Sequence, residues 1–188
     1  MAYGESQQVD WMIEQAVPED AGKIAILHSE SFKKAYLTEH DDEYNEKIIN
    51  LATQFVTPDR IMARTELLAH SLGAPDKHFY HIAMRDDSRP IGLIYGTKTQ
   101  EKQEIEALYV DENYFGAGLG QALVDRFIEW ADPTKPIELG VHKDNERAKR
   151  FYIKMGFEAL NDDRQSYFEE IPETTMLRQP QNTQGETK

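Results

Sequence analysis

The segment YFGAGLGQALV, residues 114–124, places Gly116, Gly118 and Gly120 at alternate positions just before a predicted helix. A predicted strand, EIEALYV at 104–110, lies immediately upstream. A strand, a glycine-rich turn and a helix bring backbone N–H groups and the positive end of the helix dipole to one point, and glycines remove Cβ atoms that would keep an anion away. The segment therefore predicts an anion-binding turn, with a tight connection that binds no ligand as the alternative.

Two known glycine motifs fit this segment poorly. A P-loop ends in Gly-Lys followed by Ser or Thr, whereas here Gly120 is followed by Gln121 and Ala122. A dinucleotide fingerprint needs Gly-x-Gly-x-x-Gly and an acid after the next strand, but the spacing is Gly-x-Gly-x-Gly and that strand ends in Val141-His142. A P-loop is thus excluded, and a nucleotide-binding oxidoreductase is disfavoured.

Hydrophobic periodicity predicts alternating strands and helices in the rest of the chain. Strands are predicted at 11–17, 78–85, 91–99, 104–110 and 136–141, at FEAL (157–160), and from QSYFEEI to TTMLR (165–178). Helices are predicted from Pro18 to Tyr36, across 41–72 as two helices separated at Thr57-Pro58, from the glycines to about Ala131, and from Asn145 to Met155. A chain of 188 residues suits one domain, 1–178, followed by a polar tail at 179–188 that we expect to be disordered.

Strict alternation in the strand before the glycines predicts which side chains share a face of the sheet. One face would carry Ile105, Ala107 and Tyr109, and the other Glu104, Glu106, Leu108 and Val110. Both faces carry apolar side chains, so we expect each face of this strand to be partly covered.

Composition removes several classes of function. The chain has no cysteine, which excludes disulfides, thiolate metal sites and a cysteine nucleophile. The net charge of -13 disfavours nucleic acid and anionic membranes as partners. The first ten residues lack a basic segment followed by an apolar one, so we expect a cytoplasmic protein. His78 and His81, three apart on a strand, point to opposite faces, and no metal site is expected.

The order of these elements resembles the GNAT superfamily of N-acetyltransferases, over residues 78–177. That family's first motif is Arg or Gln, two residues, Gly, one residue, then Gly or Ala, which here falls on Phe115, Gly118 and Gly120. Phe115 departs from the motif, so a side-chain contribution at 115 is in question. The resemblance implies a single α/β domain with a central mixed, mostly antiparallel, splayed sheet flanked by helices.

The resemblance further implies that the backbone from about Phe115 to Gly120 holds the pyrophosphate of acetyl coenzyme A (acetyl-CoA). The implied cofactor-binding residues are Leu108, Tyr109, Val110, Phe115, Gly116, Ala117, Gly118, Leu119, Gly120, Gln121, Asn145, Ala148 and Tyr152. Because coenzyme A is strongly anionic, a local basic patch is also expected. The basic residues near the second motif are Lys143, Arg147, Lys149, Arg150 and Lys154.

The second motif of the family is an Asn at a helix start followed by A-x-x-F-Y-x-x-x-G-F. The matching residues are Asn145, Ala148, Phe151, Tyr152, Gly156 and Phe157. From physical chemistry alone, Asn145 is an ordinary helix N-cap and Tyr152 a core tyrosine. The resemblance implies that Asn145 hydrogen-bonds the pantetheine arm and that Tyr152 points at the thioester sulfur.

Acetyl transfer to an amine needs a polarised carbonyl, a proton for the departing thiolate and a base for the incoming ammonium. Tyr152 is the candidate acid, and a backbone N–H near Leu108 to Val110 would hold the carbonyl. Glu104 and Glu106 are the candidate bases, with solvated or salt-bridged strand residues as the alternative reading. His142 is a minor acid or base candidate.

We therefore predict direct transfer from acetyl-CoA to a primary amine, with a small molecule or polyamine favoured over a protein. The acceptor would bind between Tyr36, the helical segment 41–72 and the far end of the sheet. The alternative is a non-catalytic acyl-CoA-binding sensor or partner-binding module. A homodimer formed through the C-terminal strands is possible on this sequence.

Overall fold

The centre of the molecule is a mixed sheet whose strands come from the whole length of the chain. The computed structural model describes residues 11–37, 41–85, 89–165 and 171–180. The strands are β1 (Met12–Gln15), β2 (His78–Met84), β3 (Pro90–Lys98), β4 (Gln103–Val110), β5 (Ile137–His142), β6 (Glu158–Gln165) and β7 (Pro172–Arg178). Their order in the sheet is β1-β2-β3-β4-β5-β7-β6, and every neighbouring pair is antiparallel except β4 and β5. The predicted α/β domain with a mixed, mostly antiparallel sheet is confirmed.

Helices cover both faces of this sheet. They are α1 (Ala21–Tyr36), α2 (Asp42–Gln54), α3 (Pro58–Gly73), α4 (Leu119–Trp130) and α5 (Glu146–Lys154). The predicted interruption at Thr57-Pro58 is confirmed, because α2 ends at Gln54 and Pro58 is the first residue of α3. A proline at the first helical position loses no hydrogen bond there. No helix within the described ranges is long and apolar enough to cross a membrane.

An apolar core lies on each face of the sheet, in addition to a smaller cluster between α1 and α2 around Phe32 and Ile48. On one face α4 buries Leu123 and Phe127 completely, and α5 adds Tyr152. On the other face Ile24 of α1 and Leu68 of α3 pack on the sheet and are fully buried. These two cores fix α4 and α5 on one side and α1 and α3 on the other.

The part of the predicted final strand at 166–170, and the tail from 181 onward, lie outside the described residues.

A β-bulge interrupts the pairing of β3 with β4. Gly96 pairs with Ile105. The next described pair joins Tyr95 to Ala107, so Glu106 is an extra residue on β4. Such an insertion breaks the strict alternation of side chains along a strand.

The predicted placement of Ile105 is wrong for this reason. Ile105 packs in the same core as Leu108 and Val110, under α4 and α5. Ala107 and Tyr109 pack in the opposite core, as the alternation from Ala107 onward predicts. The last four residues of β4 therefore point to the predicted faces of the sheet, whereas Ile105, before the bulge, points to the opposite face from the one predicted.

The bulge also depends on a glycine in the facing strand. A Cβ at Gly96 would lie 2.4 Å from the Glu104 carbonyl oxygen and 2.4 Å from the Phe127 ring. We expect Gly96→Ala to lower the free energy of unfolding by about 3 kcal/mol, because neither the backbone nor a fully buried ring has room to move. Urea denaturation measures this, with Gly22→Ala as the control, since a Cβ at Gly22 has no neighbour within 4 Å. Equal stability of the two variants would contradict the packing argument.

β4 and β5 diverge towards their C-terminal ends. They pair over three positions, from Gln103 with Ile137 to Ile105 with Leu139. Beyond these positions β4 keeps its pairing with β3, and β5 keeps its pairing with β7. The divergence opens a gap in the middle of the sheet, as predicted for a splayed sheet.

Candidate active site

A cleft of about 1560 Å³ passes through the gap between β4 and β5. Its walls come from the glycine turn and α5 on one side and from α1 and α3 on the other. The sequence-predicted site residues that line it are Glu104, Glu106, Leu108, Tyr109, Val110, Phe115, Gly116, Gly118, Leu119, Gly120, Gln121, Asn145, Ala148 and Tyr152. Ala117 is not part of the lining.

The glycine turn presents unpaired backbone donors to the cleft. Gly116 and Gly118 have φ values of 80° and 85°, which side chains other than glycine rarely adopt. Gly118 is the N-cap of α4, and its carbonyl accepts the first hydrogen bond of the helix, from the Ala122 N–H. The N–H groups of residues 119–121 consequently have no acceptor within the helix. This arrangement fits an anion such as a pyrophosphate.

Gly120 serves a different purpose from the two glycines before it. A Cβ there would meet the Phe151 ring at 3.5 Å, an ordinary contact distance. The backbone conformation at Gly120 therefore does not require glycine. Gly120 lacks the positive φ of Gly116 and Gly118, and the space beside it would admit a Cβ.

Arg147 supplies a positive charge where the turn lacks one. Its guanidinium carbon lies 3.6 Å from the centre of the Phe115 ring, a cation–π contact. Burial lowers the pKa of Arg147, but an arginine stays charged at any physiological pH. Phe115 thus positions an arginine from α5 beside the turn, in place of a cationic side chain of its own.

The other predicted basic residues divide into two groups. Arg150 and Lys154 line the cleft together with Arg147. Lys149 instead forms an ion pair with Glu146 at 3.0 Å and donates to the carbonyl of Lys143. Lys149 therefore stabilises the start of α5, and the charges available to an anionic ligand are the arginines and Lys154.

Removing the charge of Arg147 should weaken binding of coenzyme A. We expect Arg147→Gln to raise its Kd about tenfold, since a charge-assisted contact to an anion contributes roughly 1.5–3 kcal/mol. Isothermal titration calorimetry measures the change, with Lys149→Gln, on the same helix, as the matched control. An equal effect of both variants would assign the loss to net charge rather than to the position of Arg147.

α5 begins with a capped turn that points two predicted residues at the cleft. The Asn145 Oδ1 accepts a hydrogen bond of 3.0 Å from the Ala148 N–H, which is the expected N-cap. The amide NH₂ of Asn145 has no hydrogen-bond partner among the described residues. Two helical turns after Asn145, Tyr152 is buried with 7% of its surface exposed and packs edge-on against Phe157.

Three tyrosines and one carboxylate meet at the inner end of the cleft. Burial, the neighbouring Tyr36 and the charge of Glu173 raise the pKa of Tyr152. Burial, Tyr36, Tyr152 and Glu173 likewise raise the pKa of Tyr109 well above its ordinary value. At neutral pH these phenols therefore keep their protons, and Tyr152 is a proton donor rather than a phenolate.

Glu173 is a site residue that the sequence did not reveal. It lies on β7 directly opposite His142 of β5, and it lines the cleft. The segment IPETTM around it carries no motif. The insertion of β7 between β5 and β6 places this carboxylate in the same cleft as Tyr152.

The predicted carboxylates Glu104 and Glu106 lie further along β4. Glu104 forms an ion pair of 2.5 Å with Lys102, and Glu106 accepts a hydrogen bond of 2.7 Å from Thr97. Glu106 raises the pKa of Tyr95, after the larger effect of burial. The charge of Glu173, and not that of Glu104 or Glu106, is among the causes of the raised pKa of Tyr152.

His142 has a structural position in the cleft wall. Its Nδ1 accepts from the Asp144 N–H at 3.2 Å, so Nε2 carries the proton and donates to the Tyr44 hydroxyl at 3.2 Å. Burial lowers its pKa, opposed by Asp144. His142 is therefore neutral, and its hydrogen bond to Tyr44 joins β5 to α2.

Among the described residues no group of three or more histidine or acidic side chains is arranged to hold a metal ion.

Residues 27–157 match the model of the acetyltransferase (GNAT) family, which is more than half of the chain. An uncharacterized N-acetyltransferase of Methanocaldococcus jannaschii is 32% identical over 81 residues, covering 38% of this chain and 36% of that protein. The peptidyl-lysine N-acetyltransferase YjaB of Escherichia coli is 29% identical over 76 residues, covering 40% of this chain and 47% of that protein. This chain thus matches about a third to a half of the length of these curated relatives.

The fold is also found among solved structures. The PaiA N-acetyltransferase of Thermoplasma acidophilum, solved in complex with coenzyme A, superposes with a TM-score of 0.67 at 21% identity. The superposition covers 90% of this chain and 98% of that one. At this identity the likeness concerns the fold.

Proposed function

This chain belongs to the acetyltransferase (GNAT) family, and on this premise we propose that it transfers the acetyl group of acetyl-CoA directly to a primary amine. The observation that carries the proposal is the convergence of two features on one cleft. One is the row of unpaired N–H groups at residues 119–121, and the other is the buried, protonated phenol of Tyr152. The first suits a pyrophosphate, and the second suits a leaving thiolate.

The reaction forms a bond between the amine nitrogen and the thioester carbon and breaks the carbon–sulfur bond. An acceptor that arrives as an ammonium ion gives up two protons on becoming an amide: the base releases one to solvent, and the other returns to Tyr152 after the Tyr152 hydroxyl has protonated the departing thiolate. Burial that raises the pKa of a phenol also raises the pKa of a thiol beside it. The difference between the two pKa values, and with it the free energy of proton transfer from Tyr152 to the thiolate, therefore changes little. We assign the polarisation of the carbonyl to a backbone N–H between residues 108 and 110, on the edge of β4 that β5 leaves unpaired.

The proton of the amine needs a basic group on the acceptor side. Of the carboxylates that the sequence and structure bring to the cleft, we favour Glu173 because its charge acts on Tyr152, Tyr109 and Tyr36. A base must lie within reach of the reacting nitrogen, directly or through one water. Glu104 and Glu106 remain the alternative candidates, nearer to Tyr95.

We place the acceptor between α1 and α3, where Tyr36, Phe55 and Arg64 line the cleft. Although YjaB is named for peptidyl-lysine substrates, a small-molecule amine is our first choice here. The reason is that no extended peptide-binding feature is evident among the described residues that line this side of the cleft. We also propose a cytoplasmic location without nucleic acid partners, supported by the absence of cysteine and the net charge of -13.

Two measurements test the proposal. Calorimetry with coenzyme A tests the binding site, and a free-thiol release assay with acetyl-CoA and a panel of amines tests transfer. We expect binding together with turnover of at least one amine class. Binding without turnover on any amine would favour an acyl-CoA-binding sensor, the alternative function. Binding of NADH without binding of coenzyme A would contradict both.

A further inference from the structure

A histidine and an arginine from two different helices meet on the acceptor side of the cleft. His28 of α1 and Arg64 of α3 both line it, and the Arg64 Nη2 donates to the His28 Nδ1 at 3.0 Å. An arginine has donors only, so Nδ1 is the acceptor and the proton of the neutral ring is on Nε2. Burial, and then the charge of Arg64, lower the pKa of His28 to about 3. The pair therefore carries one positive charge, on Arg64.

Each residue keeps one buried donor without a partner. The Arg64 Nη1 and the His28 Nε2 are inaccessible to solvent and make no hydrogen bond to any described residue. A buried donor left unsatisfied destabilises a protein, and native structures avoid it. Two such atoms in adjacent side chains that line one cleft indicate that a ligand supplies the acceptors.

The charge of Arg64 also lacks a counterion within the described part of the chain. Its contacts are the neutral His28 and the Tyr80 hydroxyl. Two other cations on this side of the cleft, Lys34 and Arg89, are already paired. Lys34 binds Glu112 at 2.8 Å, and Arg89 binds Glu30 and Asp111 at 2.8 and 3.1 Å.

The surroundings of the pair suit the carboxylate of a small molecule. Phe55 stacks on His28 at 4.0 Å, and Tyr109 lies at 4.5 Å on a tilted plane. These rings fix the imidazole and exclude water, which strengthens a charge-assisted hydrogen bond. Tyr109, which contacts His28, lines the same cleft as Arg64 and Tyr152, so the subsite opens to the space in front of Tyr152.

We propose that Arg64 and His28 form a carboxylate subsite, and that the acceptors are amines which also carry a carboxylate, of the α-amino acid class. The Arg64 Nη1 and the His28 Nε2–H donate to the two carboxylate oxygens, while the amine lies towards Tyr152 and Glu173. This inference rests on the proposed acetyl transfer for the role of the amine, but the binding of the carboxylate stands separately. It replaces polyamines as the expected class, since a polyamine would bring a second cation to an unpaired arginine.

The test compares each L-amino acid with the amine that lacks its carboxylate, including lysine with cadaverine and ornithine with putrescine. For the acceptor class of the enzyme we expect kcat/KM to favour the amino acid about 100-fold, the effect of losing the partner of a buried charge. Arg64→Gln should remove that preference by slowing only the amino acid. Arg60→Gln is the matched control, because Arg60 is exposed one turn earlier on the same helix and lines the same cleft.

Calorimetric binding of the same pairs to the protein saturated with coenzyme A separates this inference from the proposed reaction. Amino acid binding that depends on Arg64, without turnover, would uphold the subsite and contradict acetyl transfer. Turnover in which no pair shows a preference for the carboxylate would overturn the subsite and uphold the transferase. The subsite would also be overturned if Arg64→Gln lowered kcat/KM equally for the amino acid and for the amine that lacks its carboxylate.

Discussion

Replacing Tyr152 by phenylalanine is expected to lower kcat for acetyl transfer by about 100-fold or more, the usual contribution of a positioned general acid. The substitution removes one oxygen from a ring that stays packed against Phe157, so the fold and the turn at residues 116–120 are preserved. The Kd of coenzyme A, measured by calorimetry, should therefore stay unchanged. A loss in kcat with intact binding is the signature of an interaction made in the transition state.

Tyr95→Phe is the matched control for this experiment. Tyr95 also lines the cleft and has a raised pKa from burial and from Glu106. Its hydroxyl contacts His78 at 3.3 Å, away from Tyr152. We expect Tyr95→Phe to retain wild-type kcat. If Tyr152→Phe retained it too, the thiolate would take its proton from water and the acid role of Tyr152 would be refuted.

Replacing Glu173 by glutamine is expected to lower kcat/KM at pH 7 by about 100-fold and to change the shape of the pH profile. Without a base in the cleft, only acceptor molecules that are already neutral amines react. The residual activity of Glu173→Gln should then rise with pH in proportion to the free amine, whereas the wild type also depends on ionisation of the carboxyl group. Initial rates at low acceptor concentration, measured across the pH range in which the protein stays folded, give both profiles.

The same profiles for Glu104→Gln and Glu106→Gln identify which carboxylate is the base. If one of these changes the profile and Glu173→Gln does not, the base lies on β4, as the sequence alone predicts. Glu106→Gln is the closer control, because its Oε1 contact with Thr97 can be kept by an amide oxygen. A wild-type profile in all three variants would mean that the acceptor is deprotonated before it binds.

The parts of the site that follow from local backbone rules were predictable from the sequence. Gly116 and Gly118 adopt the positive φ values that make glycine necessary, and Asn145 caps α5. Such features depend on residues a few positions apart, so a short segment contains all the information. The bulge at Glu106 was missed because it arises from pairing with a second strand, and the lack of room at Gly96 is visible only with Phe127 in place.

For the acceptor side, the sequence predicted a region, Tyr36 and the segment 41–72, but not the individual residues, because these meet only through the topology. Glu173 comes from β7, His28 from α1 and Arg64 from α3. Each is unremarkable in its own segment, and charged residues are common throughout the chain. Their possible roles are visible only in three dimensions. His28 and Arg64 each have a buried donor without an acceptor, and Glu173 raises the pKa of three tyrosines.

The divergence of β4 and β5 also has a mechanical meaning. The sheet consists of a four-stranded part, β1 to β4, and a three-stranded part, β5 to β7, and the seam between them has three residue pairs. A molecule bound in the gap contacts both parts of the sheet and so adds interactions between β4 and β5. Its binding free energy then adds to the free energy of unfolding, so substrate occupancy raises the stability of the whole sheet.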